Sequence, residues 1–329
     1  MTIELSFYLF LITVGLILCL KSIPNERLYN IVTIIFFIAY SAIMRFSGLD
    51  GDMTVYAASL KYDLLNSYYL REPVYWITSR YVYKILQSAE LTFMFYDLIS
   101  FIIILKVRVN LKLPQYFPYL LLVFFPIVMG MNNVYRQYLS YTLILYFLSL
   151  QFINAGSLKK YFFLLVAILT HNASAVFAPL AFIINDKNRL SYKALASGLG
   201  IFILLPYLLD SKSFSESGEV GAGVYLIFLF ILFLVYTASY KFRLTNVNKK
   251  LLYIFVYMLP LLSMSILLMG SAQSKRIGMY CLVISLVPLI LSIESNYKQK
   301  ALVRVVLFII LTLPTLIFSS SLNMLLTSK

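Results

Sequence analysis

Long apolar runs follow one another along the whole chain, and they constrain the fold more than any other feature. Several runs are close to the 20 residues that an α-helix needs to cross about 30 Å of hydrocarbon. Hydrophobic residues make up 61% of the 329 residues, and charged residues only 12%. A soluble domain is nearer half apolar and a quarter charged, so the sequence predicts an integral membrane protein.

The pattern favours helices over strands. Alternating segments of about ten residues, which are typical of a membrane β-barrel, do not recur. We therefore expect an all-α polytopic protein with about ten full transmembrane helices and one re-entrant pair of half-helices. The predicted runs are 4–20, 28–44, 91–105, 115–131, 137–153, 161–184, 193–209, 222–240, 251–270, 277–292 and 301–320.

The sequence predicts one domain and no bound cofactor. Repeats and low-complexity tracts are missing, so residues 1–329 are expected to form a single integral membrane domain with an outer loop at about 45–90. Cys19 and Cys281 both fall inside apolar runs and fit neither a disulfide framework nor a metal-ligand spacing. The net charge of +14 does not predict nucleic-acid binding here, because its distribution between loops explains it.

Positive charges are distributed unequally between the two sides. With the N-terminus outside, the inner loops hold 17 of the 27 Lys and Arg residues and three of the 13 acids, so the whole excess of +14 is on the inner side. Cytoplasmic loops are enriched in Lys and Arg, which supports this orientation. Lys21 and Arg27 follow the first run rather than precede it, which favours a retained span over a signal peptide.

The run 161–184 decides whether this orientation holds. A single crossing would move Lys187 and Arg189 outside and the acidic loop 210–220 inside. His171 interrupts the run after about eleven residues, and eleven helical residues rise only about 16 Å. We predict two half-helices that meet at His171 and return to the inner side. Broken backbone at that depth requires protein or water beside it, so His171 is expected to line a cavity that opens outward.

Polar residues gather on the predicted outer side. Arg136 lies between two apolar runs, and an arginine at the centre of a membrane helix costs roughly 2.5–3.5 kcal/mol. Snorkelling of Arg136 to the headgroups is the ordinary alternative. That alternative weakens because other polar residues share the side, namely Arg45, Asp50, Asp52, Glu72, Asn133, Gln137, His171, Asn172, Lys275 and Arg276.

These residue types suit a phosphorylated substrate. Guanidinium groups match phosphate oxygens in bidentate fashion, so Arg45, Arg136 and Arg276 are candidates to bind a diphosphate. An activated donor outside the membrane must be carried by a lipid, because nucleotide sugars are not present there. A polyprenyl-diphosphate sugar meets this requirement, and the cations would stabilise the departing diphosphate. Asp52, Glu72 and His171 remain alternative candidates to orient or deprotonate the acceptor hydroxyl.

Five short motifs in order resemble the EpsG family, whose members are bacterial multi-span proteins grouped with Wzy-type O-antigen and exopolysaccharide polymerases. The motifs extend over most of the chain. They are Asp52-x3-Tyr56 after Arg45 and a glycine, Glu72-Pro73, Asn133-x2-Arg136-Gln137, His171-x2-Ser174-Ala175 and Arg276-x3-Tyr280.

The resemblance implies a glycosyltransferase with a GT-C-like fold that joins undecaprenyl-diphosphate-linked repeat units at the outer face of the bacterial inner membrane. It implies cooperation with a Wzz-type chain-length regulator and supporting roles for Asn133, Gln137 and Tyr280. The family pattern expects Gly-x-Asp where this chain has Asp50-Gly51-Asp52, which leaves open which aspartate matters. Two acids in a solvated loop do not by themselves predict a metal site, and none is expected.

Other interpretations use the same residues. A transporter or flippase of lipid-linked oligosaccharide would bind the same diphosphate, but it should show internal symmetry and a polar path across the midplane. An O-antigen ligase or another GT-C transferase also fits. His171 as a packing residue, Glu72 as a turn residue and Arg45 as an ordinary helix end are the structural alternatives.

Overall fold

The computed structural model describes residues 2–61, 69–184, 191–208, 220–243 and 247–326. Within these ranges the regular elements are all helices and no strand occurs, which confirms the predicted all-α fold. Part of the predicted outer loop, 62–68, lies outside the described residues. So do Lys187, Arg189 and most of the predicted acidic loop, 210–219.

The helices follow the predicted runs closely, and short 3₁₀ helices cover Tyr69–Arg71 and Asn172–Phe177. The α-helices are α1 (Ile3–Leu20), α2 (Glu26–Phe46), α3 (Asp52–Leu60), α4 (Pro73–Leu86), α5 (Ala89–Leu111), α6 (Phe117–Val123), α7 (Phe125–Asn132), α8 (Tyr135–Phe152), α9 (Ser157–Thr170), α10 (Leu180–Ile183), α11 (Tyr192–Leu208), α12 (Ala222–Ser239), α13 (Lys249–Leu268), α14 (Ser271–Asn296), α15 (Lys300–Ile317) and α16 (Ser319–Leu326).

In the described part of the chain, six of these helices are long and apolar enough to cross a membrane, namely α1, α2, α12, α13, α14 and α15. They indicate a multi-pass membrane protein. The chain divides into two compact units. The first consists of Met1–Tyr146, Leu165–Asn172 and Arg304–Lys329, and the second of Phe147–Leu164 and Ala173–Val303.

In the first unit, α2 packs along α5, and α1 packs against α2 and α6. Asn25 caps α2 and Ser88 caps α5, and each side-chain oxygen accepts a hydrogen bond from the backbone N–H three residues on. α2 covers 21 residues, which corresponds to about 30 Å of helix. Glu26 and Arg45 therefore lie close to the two opposite ends of α2.

The predicted span 115–131 is divided, because α6 ends at Val123 and α7 begins at Phe125. Pro126 has no N–H for an intrahelical bond, and Phe124 adopts an extended conformation. Interrupted backbone at membrane depth must be hydrogen-bonded by neighbouring groups. The Val123 carbonyl oxygen accepts hydrogen bonds from the Tyr8 hydroxyl at 2.8 Å and the Thr315 hydroxyl at 3.0 Å.

The predicted interruption at His171 is present. α9 ends at Thr170, and Asn172–Phe177 continues as a 3₁₀ helix before the short α10. The return of both halves to one side of a membrane stays a prediction.

The second unit is built around α14. About nine-tenths of the most apolar part of this helix is buried, and α12 and α13 pack against it. Gly278 permits the closest approach of α12, since a Cβ atom there would lie 2.7 Å from the Cβ atom of Tyr225. A side chain at position 278 would therefore force the two helices apart.

Candidate functional site

The carboxylate of Glu72 is the centre of a buried polar cluster in the first unit. Its Oε2 atom pairs with the Arg136 guanidinium, and its Oε1 atom lies 2.6 Å from His171 Nδ1. The backbone N–H of Asn172 also donates to Oε1, at 3.1 Å. Both carboxylate oxygens are therefore engaged, and Glu72 is only 4% exposed. The three residues lie up to 99 positions apart in sequence, and the fold brings them together.

Local sequence explains where each member lies. Glu72 is the N-cap residue of α4, and Pro73 occupies the first helical turn, where a missing N–H has no cost. Arg136 is the second residue of α8, which begins at Tyr135 directly after Asn133 and Val134. His171 lies at the end of α9, where the helix stops, so its side chain and the following N–H both reach Glu72.

Aromatic rings surround the Arg136 guanidinium. Its Cζ atom lies 4.8 Å from the centroid of the Trp76 ring and 5.5 Å from that of Tyr56. Its Nε donates to the Tyr56 hydroxyl at 3.4 Å. Cation–π contacts of this kind are worth more in a desolvated site, and tryptophan is the best partner. The Arg136 side chain is nevertheless 15% exposed, compared with 5% for Glu72, so a ligand can reach it.

Asp52 and Asn133 lie beside this cluster, and the Asn133 side chain contacts the backbone of Asp52. Asn133 Oδ1 accepts a hydrogen bond from the Asp52 N–H at 3.3 Å, which holds the start of α3. Gly51 has a positive φ of 52°, and a Cβ atom there would lie 3.2 Å from Asn133 Oδ1. Asp52 itself is exposed, and Tyr56 lies one helical turn further on. Asp50 accepts a hydrogen bond from the Gly51 N–H at 2.8 Å.

A small pocket adjoins this turn. Its volume is about 210 Å³, and it is lined by residues of the 44–53 segment together with Asn132, Asn133 and Met324. Its polar lining residues include Arg45, Asp50 and Asn133. This arrangement provides hydrogen-bonding groups beside the exposed Asp52.

Arg45 makes a different, fully buried pair with Asp97. Nε lies 2.9 Å from Oδ2, and Nη2 lies 3.1 Å from Oδ1. The Ser41 hydroxyl donates to Oδ2 at 2.6 Å, and the Tyr135 hydroxyl lies 2.9 Å from Oδ1. Arg45 is 1% exposed and Asp97 is 0% exposed. The pair joins α2 to α5 and to the first residue of α8, directly before Arg136. Binding of a diphosphate by Arg45 stays a prediction.

Asp97→Asn is expected to lower the free energy of unfolding by roughly 3 kcal/mol, because it leaves the Arg45 charge buried without its counter-charge. Replacing both partners, as Arg45→Met with Asp97→Leu, is expected to recover much of this loss. Denaturation in detergent measures both variants, and Asp52→Asn serves as an exposed acid control. A double variant no more stable than Asp97→Asn would contradict this explanation.

The fifth motif lies in the second unit. Arg276 is half-buried near the start of α14, and its Nη1 lies 3.5 Å from Gln273 Oε1. Tyr280 is fully buried, with its ring centroid 5.0 Å from that of Phe177. Lys275 is 9% exposed. Gln137, in the first unit, is also buried.

Three residues in or near these polar contacts were not among the candidates predicted from the sequence. Asp97 is an acid inside an apolar run, which is itself a signal of function or pairing. Trp76 and Arg80 lie on one face of α4, four residues apart. Arg80 is 7% exposed and its guanidinium lies 4.0 Å from the Tyr69 ring centroid. Among the described residues its two terminal nitrogens have no hydrogen-bond partner, so it adds positive charge beside Trp76.

A family model for the EpsG family matches residues 27–326. The chain belongs to the EpsG family. No significant match was found among curated proteins or solved structures. Membership confirms the resemblance carried by the five motifs and implies a membrane protein of the polysaccharide polymerase type.

Four of the five EpsG motifs come together in the first unit, since Tyr56, Glu72, Asn133, Arg136 and His171 contact one another directly or through the Asp52 backbone. Within the described ranges, no group of three or more His, Cys, Asp or Glu side chains is placed to hold a metal ion. This EpsG site brings together a carboxylate, an imidazole and a guanidinium group.

Proposed function

We propose that this EpsG family protein is a glycan polymerase that joins undecaprenyl-diphosphate-linked oligosaccharide repeat units. The observation that carries the proposal is the buried Glu72 carboxylate, which contacts an arginine on one oxygen and an imidazole on the other. Arginine suits the diphosphate of the donor, and imidazole suits proton transfer from the acceptor. The product is O-antigen, as in lipopolysaccharide biosynthesis, or an exopolysaccharide.

The acceptor hydroxyl oxygen attacks the anomeric carbon of the donor sugar, and the bond from that carbon to the diphosphate oxygen breaks. The diphosphate leaves with the bonding electron pair, and Arg136 stabilises its charge. His171 Nε2 takes the hydroxyl proton. Glu72 fixes the tautomer by accepting a hydrogen bond from Nδ1–H and stabilises the imidazolium that forms.

Glu72 itself is less suited to be the base. Its two oxygens already contact the Arg136 guanidinium, the His171 imidazole and the Asn172 N–H, so they hold these groups in place. Asp52 is exposed and remains a candidate to orient the acceptor sugar in the nearby pocket. The Asn133 side chain holds Asp52 in place by accepting a hydrogen bond from its backbone N–H. Arg276, Gln137 and Tyr280 keep their proposed roles in binding the diphosphate and supporting the site, whereas we assign Arg45 to holding the helices beside the site.

We also propose a GT-C-like fold with about ten full crossings and one re-entrant pair. α5 has 23 residues and α8 has 18, which is long enough to span even though they carry polar groups. Four further crossings bring the six apolar spans to ten, namely α5, α8, α11 and the divided α6 and α7 counted as one. α9 and residues 172–183 form the re-entrant pair. The charge asymmetry supports a bacterial inner membrane location with the active face outside the cytoplasm. A Wzz-type chain-length regulator is the proposed partner.

Trp76 is the only tryptophan of the chain, and its contact with Arg136 makes it a reporter of the site. Undecaprenyl diphosphate is expected to change its fluorescence saturably, because the ligand draws the guanidinium away from the ring. Arg136→Ala is expected to weaken this binding roughly 10- to 100-fold, since charged hydrogen bonds are lost. Trp76→Phe is the control for the origin of the signal. An equal response to uncharged undecaprenol would contradict recognition of the diphosphate.

Electrophoresis of surface polysaccharide from cells with and without this gene tests the function. Loss of the gene is expected to collapse a ladder of many repeats to a core that carries one repeat. Loss of the single repeat as well would favour the transporter, flippase or ligase interpretation. Complementation with Arg136→Ala should fail, whereas Arg71→Ala, which removes an exposed arginine next to Glu72, should restore the ladder.

A further inference from the structure

A large pocket lies at the other end of α2, away from the Glu72 cluster. Its volume is about 730 Å³, and it belongs entirely to the first unit. The α1–α2 connection, the end of α5 and the start of α15 form its walls. Glu26 and Arg45 are separated by about 30 Å along α2. The pocket and the candidate active site are therefore distinct.

The lining of the pocket is basic. Arg108, Lys112 and Arg304 contribute three positive charges, and Glu26 is the one acid among the lining residues. Lys112 is exposed and Arg304 half-exposed. Lys112 also has a φ of 52° at the end of α5, a position that usually favours glycine.

Two buried polar atoms in the pocket have no hydrogen-bond partner among the residues that the structure describes. One is Arg108 Nε, a donor, and the other is Asn30 Oδ1, an acceptor. The rest of the Arg108 guanidinium is held by Glu26 and by the Leu113 carbonyl oxygen at 3.4 Å. Buried polar groups usually have partners, so a ligand that offers both an anionic oxygen and a hydroxyl group would complete this site.

Apolar surface adjoins the charged groups. Leu18, Ile23, Val109 and Leu113 line the pocket, and Val109 is 55% exposed. A free phosphate ion would leave this apolar surface uncovered. A phospholipid would place its phosphodiester against the cations and the start of its acyl chains against these residues.

We propose that this pocket binds the headgroup of an anionic phospholipid that carries a hydroxyl group, such as phosphatidylglycerol. The phosphodiester contacts Arg108, Lys112 and Arg304, and a headgroup hydroxyl donates to Asn30 Oδ1. Under the orientation derived from the charge distribution, the lipid comes from the inner leaflet. The positive charge of the pocket disfavours zwitterionic headgroups with a terminal ammonium. This site does not depend on the polymerase function.

Thermal unfolding of the purified full-length protein in uncharged detergent tests the proposal, with lipids titrated in. Phosphatidylglycerol is expected to raise Tm saturably, and phosphatidylcholine is not. Lys112→Gln with Arg304→Gln should weaken the apparent affinity roughly 10- to 30-fold. This variant leaves the ion pair between Arg108 and Glu26 intact, so it should fold. Lys159→Gln with Lys160→Gln removes the same charge from another predicted inner loop, which does not line the pocket, and should bind like the wild type.

Three outcomes would overturn the proposal. Equal weakening by the Lys159 and Lys160 control would mean non-specific attraction to basic loops. Equal stabilisation by phosphatidylcholine would mean that charge is not recognised. Stabilisation by inorganic phosphate or glycerol 1-phosphate to the same extent as by phosphatidylglycerol would assign the pocket to a soluble phosphate instead.

Discussion

Glu72→Gln is expected to abolish long polysaccharide and to lower the polymerisation rate on the order of 10³-fold or more. The amide keeps the shape of the carboxylate but removes the charge that Arg136 and His171 contact. Breaking a buried ion pair from one side costs roughly 3–5 kcal/mol, which corresponds to a rate factor of about 10² to 10⁴ if it is lost in the transition state. The rate of chain elongation in reconstituted membranes measures the effect.

A matched control and a double variant sharpen this prediction. Glu90→Gln removes a carboxylate from the start of α5 and should leave the rate unchanged. Because Glu72 and Arg136 act as a unit, Glu72→Gln with Arg136→Gln should be no slower than the slower single variant. A Glu72→Gln protein of normal abundance that elongates chains within threefold of the wild-type rate would refute a role for this carboxylate.

His171→Ala is expected to lower the elongation rate by roughly 10²- to 10⁴-fold, the range typical for loss of a general base. His171→Asn separates the two roles that the imidazole can play. The asparagine amide can replace the Nδ1–H donor to Glu72 but cannot accept the proton at Nε2. If His171 is the base, the asparagine variant should be as slow as the alanine variant. Recovery of most of the elongation rate by His171→Asn would contradict this role and show that the histidine only positions Glu72 and its neighbours.

The fold was predictable wherever composition alone decides it. Runs near 20 apolar residues predicted the helices, and the polar residues around His171 predicted the end of α9 at Thr170. The division between α6 and α7 was missed, since average hydropathy does not register the missing N–H of Pro126 or the extended Phe124. The Val123 carbonyl is satisfied by Tyr8 and Thr315, 115 and 192 residues away.

The site was predictable as a set of residues but not as a set of contacts. Glu72, Arg136 and His171 were candidates on chemical grounds, yet their pairing through one carboxylate depends on contacts over 64 and 99 residues. Asp97 was missed because it was counted only as an acid on the outer side. Its burial opposite Arg45 explains how an arginine at a helix end can be structural. Arg136, in contrast, keeps a partly exposed side chain.

Reconstitution of the purified protein with an undecaprenyl-diphosphate-linked repeat unit as the sole substrate tests the central claim most directly. The wild-type protein should form products of two, three and more repeats and release one undecaprenyl diphosphate for each new glycosidic bond. Glu72→Gln and Arg136→Ala should form neither. Movement of the intact lipid-linked unit across the membrane, with no product longer than one repeat, would contradict the polymerase assignment and identify a transporter.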